Sequence, residues 1–397
     1  QLFLIIFIST LLLNPVNHTT DKPLGVLIIY MDPGIEHSRA LKVLDAARNI
    51  DAKWIRIGFI WVLANPEKDV YSFKEFDWII NQSIAHGFSI LPVVMYTPRW
   101  VSSKPGDENY YLYPPIEDKI GNYSSPFGTN GTGYDYLYKF AKVIANRYSD
   151  RITHWEFWNE PDMRGSLLSP RNDNSTSREY AKMLAYFYRG IKDGNPMAKV
   201  VLGGLADSLD EPSCEKNYFE KILQDEDYPA INNFDIHNIH TNFRSLEEIS
   251  KQIERNREIL NRFGGENKKI WITETSYTPV RRFQNIPGYT SGERSFNKYV
   301  KDALKLELES EVEVVFWAVL HDYKPSTPES DPYKYSGLYT YDLRLKKAGM
   351  VFRNIADNSK TDIWNEFIQK IYSNIFLMKW FKQFSLRNYI PIDNFKI

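Results

Sequence analysis

From Leu24 onward, short unbroken apolar runs alternate with longer stretches in which apolar residues recur every three or four positions. An unbroken run reads as a strand buried on both faces, and the three-to-four spacing as an amphipathic helix. Strands are expected at 24–30, 54–59, 88–96, 153–158, 199–205, 234–240, 269–275 and 312–320. Helices are expected at 38–49, 73–86, 134–148, 177–192, 217–224, 245–263, 293–308 and 346–356, with Ser38 capping the first and Gly87 ending the second. Parallel strands covered on both faces need helical crossovers, and eight such units fit a closed barrel better than a doubly wound open sheet. The expected fold class is α/β, a single-domain (β/α)8 TIM barrel over residues 21–358.

The two ends do not fit the repeat. Residues 2–13 are almost continuously apolar but too short for a hydrocarbon core of about 30 Å. Residues 1–20 are therefore expected to be a signal peptide or, as no Ala-x-Ala site follows, an N-terminal membrane anchor. Residues 359–397 are expected to form a C-terminal helical extension. There Trp364-Asn-Glu366 copies the letters of a motif discussed below but sits in a helical pattern. Asn-x-Ser/Thr acceptors at Asn17, Asn81, Asn122, Asn130 and Asn174 agree with export. The expected location is secreted, or membrane-tethered and facing outside.

Composition narrows the chemistry mainly by exclusion. A net charge of -1 with 25% charged residues carries no nucleic-acid signature. The single cysteine, Cys214, excludes an intramolecular disulfide and a Cys-based zinc site. Gly203-Gly204 alone is not a phosphate loop. The 26 Tyr and 10 Trp supply rings that stack on sugars, as well as ones that fill cores.

Barrel enzymes carry their chemistry at the C-terminal ends of the strands. The strand at 153–158 runs into Asn159-Glu160-Pro161. Proline has no N–H, so it stops the ladder, and it biases Glu160 away from the right-handed helical region. Trp155 and Trp158 are apolar walls that would raise a carboxyl pKa, although a solvated acidic turn is the plain alternative. The strand at 269–275 ends at Glu274. Three strands apart, Glu160 and Glu274 face each other across the mouth, the two-carboxylate arrangement of glycosidic bond cleavage.

Other strand ends supply matching candidates. Arg56 would hold Glu274 ionised, or else pair with Glu156 inside the barrel. Asn159 would donate to the sugar hydroxyl beside the reacting carbon. His240 would hydrogen-bond Glu274 or the substrate, or be structural, as His237 is expected to be. Trp317 would floor the sugar site or belong to the core. Tyr96, Trp100, Trp61 and Tyr277 are candidate pocket walls. His237, His240 and His321 raise the question of a metal, but Ile28-Ile-Tyr lacks the His-x-His of barrel metallohydrolases. No metal and no cofactor are expected.

Trp155-Glu-Phe-Trp-Asn-Glu-Pro161 together with Trp271-Ile-Thr-Glu274 resembles the large clan of retaining glycosidases on the (β/α)8 barrel. Ile272-Thr-Glu-Thr-Ser-Tyr-Thr-Pro279 and Thr97-Pro-Arg-Trp100 look most like glycoside hydrolase family 39 and its cellulase-like neighbours. The resemblance covers roughly residues 24–357. It implies Glu160 as acid/base, Glu274 as nucleophile, Asn159 as the 2-hydroxyl contact, Arg56 as partner of the nucleophile and Trp317 as sugar platform. The implied reaction is retaining hydrolysis of β-linked glycosides or polysaccharides, with Glu160 titrating above Glu274. Two departures stand out. The strand ending at His240 continues Thr241-Asn242 where relatives have His-x-Tyr, so the Tyr contact to the nucleophile is missing or comes from a residue such as Tyr277. Tyr96 stands where some relatives carry His. Rival readings are a non-catalytic carbohydrate-binding barrel, a transglycosylase with the same residues, and a structural cell-surface protein.

Overall fold

The computed structural model describes residues 22–28, 36–171, 173, 175–206, 212–280 and 286–357. Lys22–Ala356 form one compact unit. The expected N-terminal segment, the C-terminal extension with Trp364-Asn-Glu366, and the acceptors Asn17 and Asn174 lie outside the described residues. Among the described residues no helix is long and apolar enough to cross a membrane.

Among the described residues ten strands are present: β1 (Leu24–Leu27), β2 (Trp54–Ile60), β3 (Ser89–Met95), β4 (Lys119–Ser124), β5 (Asn130–Thr132), β6 (His154–Asn159), β7 (Lys199–Gly204), β8 (Ile236–His240), β9 (Lys269–Thr275) and β10 (Val312–Trp317). Eight of them close a parallel barrel in the order β1-β2-β3-β6-β7-β8-β9-β10, with β10 pairing back to β1. This is the expected single-domain (β/α)8 barrel. The helices are α1 (His37–Asn49), α2 (Trp61–Ala64), α3 (Lys74–Ala85), α4 (Gly133–Arg147), α5 (Ser177–Gly194), α6 (Tyr218–Leu223), α7 (Leu246–Arg262), α8 (Glu293–Glu309) and α9 (Lys347–Ala356). Reciprocal side-chain caps start α4 (Thr132 with Asp135) and α7 (Ser245 with Glu248).

Two local expectations need correction. Ser38 does not cap α1. The helix begins one residue earlier, and the Ser38 hydroxyl donates to the Glu36 carboxylate at 3.3 Å. The last barrel strand stops at Trp317, three residues early. The loop over 102–133 contains the antiparallel β4–β5 hairpin, whose largely exposed residues leave no apolar run to read.

Inside the barrel, alternate residues of each strand point inward. The lower layer is apolar: Leu91, Val201, Ile236, Trp271, Val314 and Phe316, with Trp54 packed against them. Gly25 admits Phe316, since a Cβ there would lie 2.4 Å from its ring. Two residues further along the strands the interior turns polar. Arg56, Glu156, Asn238 and Thr273, all buried, sit between this floor and the mouth.

Candidate active site

Arg56 organises the polar layer. It donates from Nε and Nη2 to the two oxygens of Glu156 (2.7 and 2.8 Å), from Nη1 to Glu274 Oε1 (2.6 Å) and from Nη2 to Asn159 Oδ1 (2.8 Å). The two alternatives posed for Arg56 therefore hold together. Burial opposes its charge, but the carboxylates of Glu156 and Glu274 outweigh burial and raise its pKa. Glu156 also accepts from Asn238 Nδ2 at 3.1 Å. Such a fully paired buried cluster specifies geometry more than it adds net stability.

Two backbone irregularities aim the carboxylates. Regular alternation would put Trp271 and Thr273 inside the barrel and Glu274 outside. Opposite β8, Ile239 faces Ile272 while His240 faces Glu274. Opposite β10, Val315 faces Ile272 while Trp317 faces Thr275. Strand β9 thus holds one extra residue against both neighbours, a bulge that turns Thr273 and Glu274 both toward the interior. On β6, Trp158 adopts φ 70° and Glu160 φ 46°. Glu160 N still donates to Gly204 O at 3.0 Å, and Glu160 O accepts from Met163 N at 3.0 Å in the turn that follows. Tyr96 (φ 71°) and Phe243 (φ 57°) share this left-handed geometry just past β3 and β8. Bulky residues held there at functional rims store strain.

His240 joins the two glutamates. Its Nδ1 lies 2.9 Å from Glu160 Oε1 and 3.8 Å from Glu274 Oε2, and its Nε2 lies 3.0 Å from Thr273 Oγ1. The hydrogen bond goes to Glu160, whereas the sequence pointed to Glu274. Burial disfavours the imidazolium, but the charges of Glu274 and Glu160 outweigh it and raise its pKa. A protonated ring donates from both nitrogens. His240 fits only because residue 204 is glycine. A Cβ there would sit 2.0 Å from Nε2.

Glu274 is held differently. Asn242 Nδ2 donates to its Oε2 at 2.9 Å, and Ser276 Oγ donates to Asn242 Oδ1 at 2.7 Å. Burial pushes the Glu274 carboxyl up, but His240, Arg56 and the hydrogen bonds from Asn242 and Arg56 hold it below the usual range. Asn242 makes the contact left open by the departure from His-x-Tyr. Tyr277 does not, because its hydroxyl donates to Thr290 O at 3.2 Å and its ring stacks on Tyr299 of α8.

The remaining aromatic candidates divide. Tyr96 is half-buried and packs edge-on against Trp158, beside the site. Trp100 is half-buried, donates to Asn65 O at 3.0 Å and meets Tyr136 of α4. Trp61 is buried against Phe140 of α4, among the outer helices. Trp317 is wholly buried and donates to Ser336 O at 3.0 Å, so its ring offers no open face. His237 bonds Asn256 and stacks on Phe219, and His321 bonds the Asp322 carbonyl, so neither joins His240.

Sequence reasoning missed Asn242, Thr273 and Gly204. It also missed Tyr333 and Tyr323, from the loop after β10. Burial first, then the charges of Glu274 and Glu160, hold the half-buried Tyr333 phenol well above its usual range. Burial and the Glu274 charge do the same to Tyr323. Phe243 meets Tyr333 edge-on at 4.8 Å. The only advance signal was a tyrosine-rich run following the last strand.

One oxygen each of Glu160 and Glu274 and one nitrogen of His240 lie within 4.8 Å of one another. Two carboxylates and an imidazole are cation ligands in kind. Here Arg56 sits 2.6 Å from Glu274, so positive charge already occupies the cluster. The arrangement suits proton transfer beside a fixed, ionised carboxylate.

No protein-family model matches the chain, and neither does any curated protein sequence. Solved structures that share the fold include glycoside hydrolases. A family 39 glycoside hydrolase from Bacteroides cellulosilyticus WH2 aligns with TM-score 0.60 at 16% identity, over 85% of this chain and 64% of that one. Xylanase 10B from Thermotoga petrophila RKU-1, solved with xylobiose, aligns with TM-score 0.57 at 15% identity, over 86% of this chain and 95% of that one. A GH5_18 protein from Streptomyces cattleya, solved with GlcNAc, aligns with TM-score 0.59 at 12% identity, over 86% and 81%. The chain thus spans just under two thirds of the family 39 structure.

Proposed function

We propose that the chain is a retaining glycoside hydrolase that cleaves β-linked glycosides or polysaccharides by double displacement. Glu274 attacks the anomeric carbon while Glu160 protonates the leaving oxygen. Glu160 then deprotonates water, which releases the sugar from Glu274. Arg56 and Asn242 keep Glu274 ionised and oriented, and His240 exchanges its hydrogen bond with Glu160 as that proton moves. Asn159, fixed by Arg56, is the contact to the 2-hydroxyl. The scheme uses side chains alone.

The observation that carries this reading is that one carboxylate oxygen of Glu160 and one of Glu274 lie within 4.8 Å of each other, close enough for the shorter of two spacings. Retaining enzymes keep their carboxyls about 5–5.5 Å apart, and inverting ones about 6.5–9.5 Å to admit a water. The xylobiose and GlcNAc bound in two of the structures that share the fold support a carbohydrate substrate. Export belongs to the same proposal, supported by the exposed Asn81, Asn122 and Asn130. The test is a panel of aryl β-glycosides (xyloside, glucoside, mannoside, fucoside), with the first-formed anomer followed by proton NMR. Release of a β-anomer from at least one member is expected. An α-anomer, or no turnover across the panel and β-linked polysaccharides, overturns the proposal.

A further inference from the structure

Two helices behind β8 and β9 each send one wholly buried polar side chain to the strand ends. Gln252 of α7 donates to His240 O at 2.9 Å. Glu307 of α8 accepts from Thr241 Oγ1 at 2.8 Å on one oxygen. Its other oxygen lies beside the buried Thr275 hydroxyl, and neither atom has a hydrogen-bond partner elsewhere. Thr241 sits between His240 and Asn242, and its N–H donates to the Glu274 carbonyl at 2.8 Å. Thr275 follows Glu274 directly. Glu307 therefore meets, from outside the barrel, the neighbours of every group that touches the Glu274 carboxylate from β8.

We propose that Glu307 is a positioning residue that joins the ends of β8 and β9 and so sets the placement of His240 and Asn242 against Glu274. It does so as the neutral acid. Burial pushes its carboxyl up to about 8, with only the Thr241 and Thr275 hydroxyls acting the other way. No cation is among the groups that act on its carboxyl. The titratable groups nearby are Tyr299 on its own helix, whose hydroxyl donates to Arg244 O, and Glu248 of α7 beside Tyr299. A neutral carboxyl carries one hydrogen, the donor that its orphan oxygen and the Thr275 hydroxyl require. Ionisation would leave a buried charge without a counter-ion between two strands and a helix, and so strain the contact that joins them.

The sign of the pH effect follows. The folded group holds its proton up to about pH 8, while the unfolded one loses it near about 4.3. Stability contributed by that proton is full below the lower value, falls as pH rises between the two, and is gone above the higher.

The functional half of this inference rests on the glycosidase reading, so the experiment has two independent readouts. Parent, Glu307→Gln and Glu307→Ala are melted across about pH 5 to 9. The parent should lose stability relative to Glu307→Gln as pH rises to about 8, after which the gap stays constant. On a turned-over aryl glycoside, parent kcat should fall through an alkaline limb near pH 8 that Glu307→Gln lacks. Glu307→Gln should keep parent activity at lower pH, as the amide supplies a donor and an acceptor where the neutral acid has them. Glu307→Ala should lose about 10²-fold in kcat with little change in KM, the cost of misplacing groups by about 1 Å. Parallel melting profiles for parent and Glu307→Gln, or an unchanged alkaline limb in Glu307→Gln, overturn the inference. Failure of every glycoside counts against the proposed function alone, and the melting series still decides whether Glu307 is neutral.

Discussion

Glu160 and Glu274 are the same residue type at the ends of two strands of one barrel, yet they occupy opposite environments. Glu274 receives Arg56 at 2.6 Å and Asn242 at 2.9 Å, and Asn242 is itself fixed by Ser276. Glu160 meets one ring nitrogen, and its side chain remains 16% exposed. A carboxylate surrounded by fixed donors is held ionised in one position. A carboxylate whose partner can itself carry the proton can gain and lose one without leaving a buried charge uncompensated. Under the proposed function, the difference suits Glu274 to the nucleophile's role and Glu160 to the acid/base role, because one needs permanence and the other needs exchange.

Arg56→Leu removes most of what distinguishes Glu274. It leaves Glu156 and Glu274 without their cation in a buried layer, a loss of about 3–5 kcal/mol by the behaviour of broken buried pairs. Urea unfolding measures it. The same variant should move the acid limb of activity upward, because Glu274 is ionised at low pH partly through Arg56. A stability change under about 1 kcal/mol, the scale of surface pairs, would show that the layer is not organised by this residue.

Gly204→Ala acts on the other glutamate. The added Cβ collides with His240 Nε2, and the ring cannot stay beside Glu160. Overpacking of this kind costs about 1–3 kcal/mol. The imidazole pKa, read by proton NMR, should fall as the ring leaves Glu160 and Glu274. An unchanged His240 resonance and titration would mean that the seat tolerates the methyl and that Gly204 has no part in the site.

Much of this was legible in the chain. The barrel was readable because strands covered on both faces leave apolar runs, and Glu160 and Glu274 were readable because each ends such a run. What stayed hidden depends on backbone detail or on contacts between distant segments. The extra residue in β9 leaves no mark on the pattern of Lys269–Thr275, yet it decides where Glu274 points. Asn242 and Tyr333 lie in polar, aromatic-flanked loops whose letters do not reveal what they face. Trp317 ends an apolar strand, as a platform or a core residue would, and only its cover by Ser336 separates the two. Glu307 sits in an ordinary helical repeat, and nothing local marks it as buried.

The assignment of roles is tested most directly with Glu160→Ala, Glu274→Ala and a dinitrophenyl β-glycoside of the sugar the panel selects. Dinitrophenolate departs without protonation, so Glu160→Ala should still release it in a burst and accumulate a glycosyl adduct on the peptide bearing Glu274. Breakdown should be slower by about 10²–10⁴-fold, since no base activates water. Azide needs no base and should restore turnover, giving the β-glycosyl azide. Glu274→Ala should show neither burst nor adduct, and azide should give only the inverted α-azide. Parental activity of Glu160→Ala on a poor leaving group, or an adduct on any residue other than Glu274, would contradict the assignment.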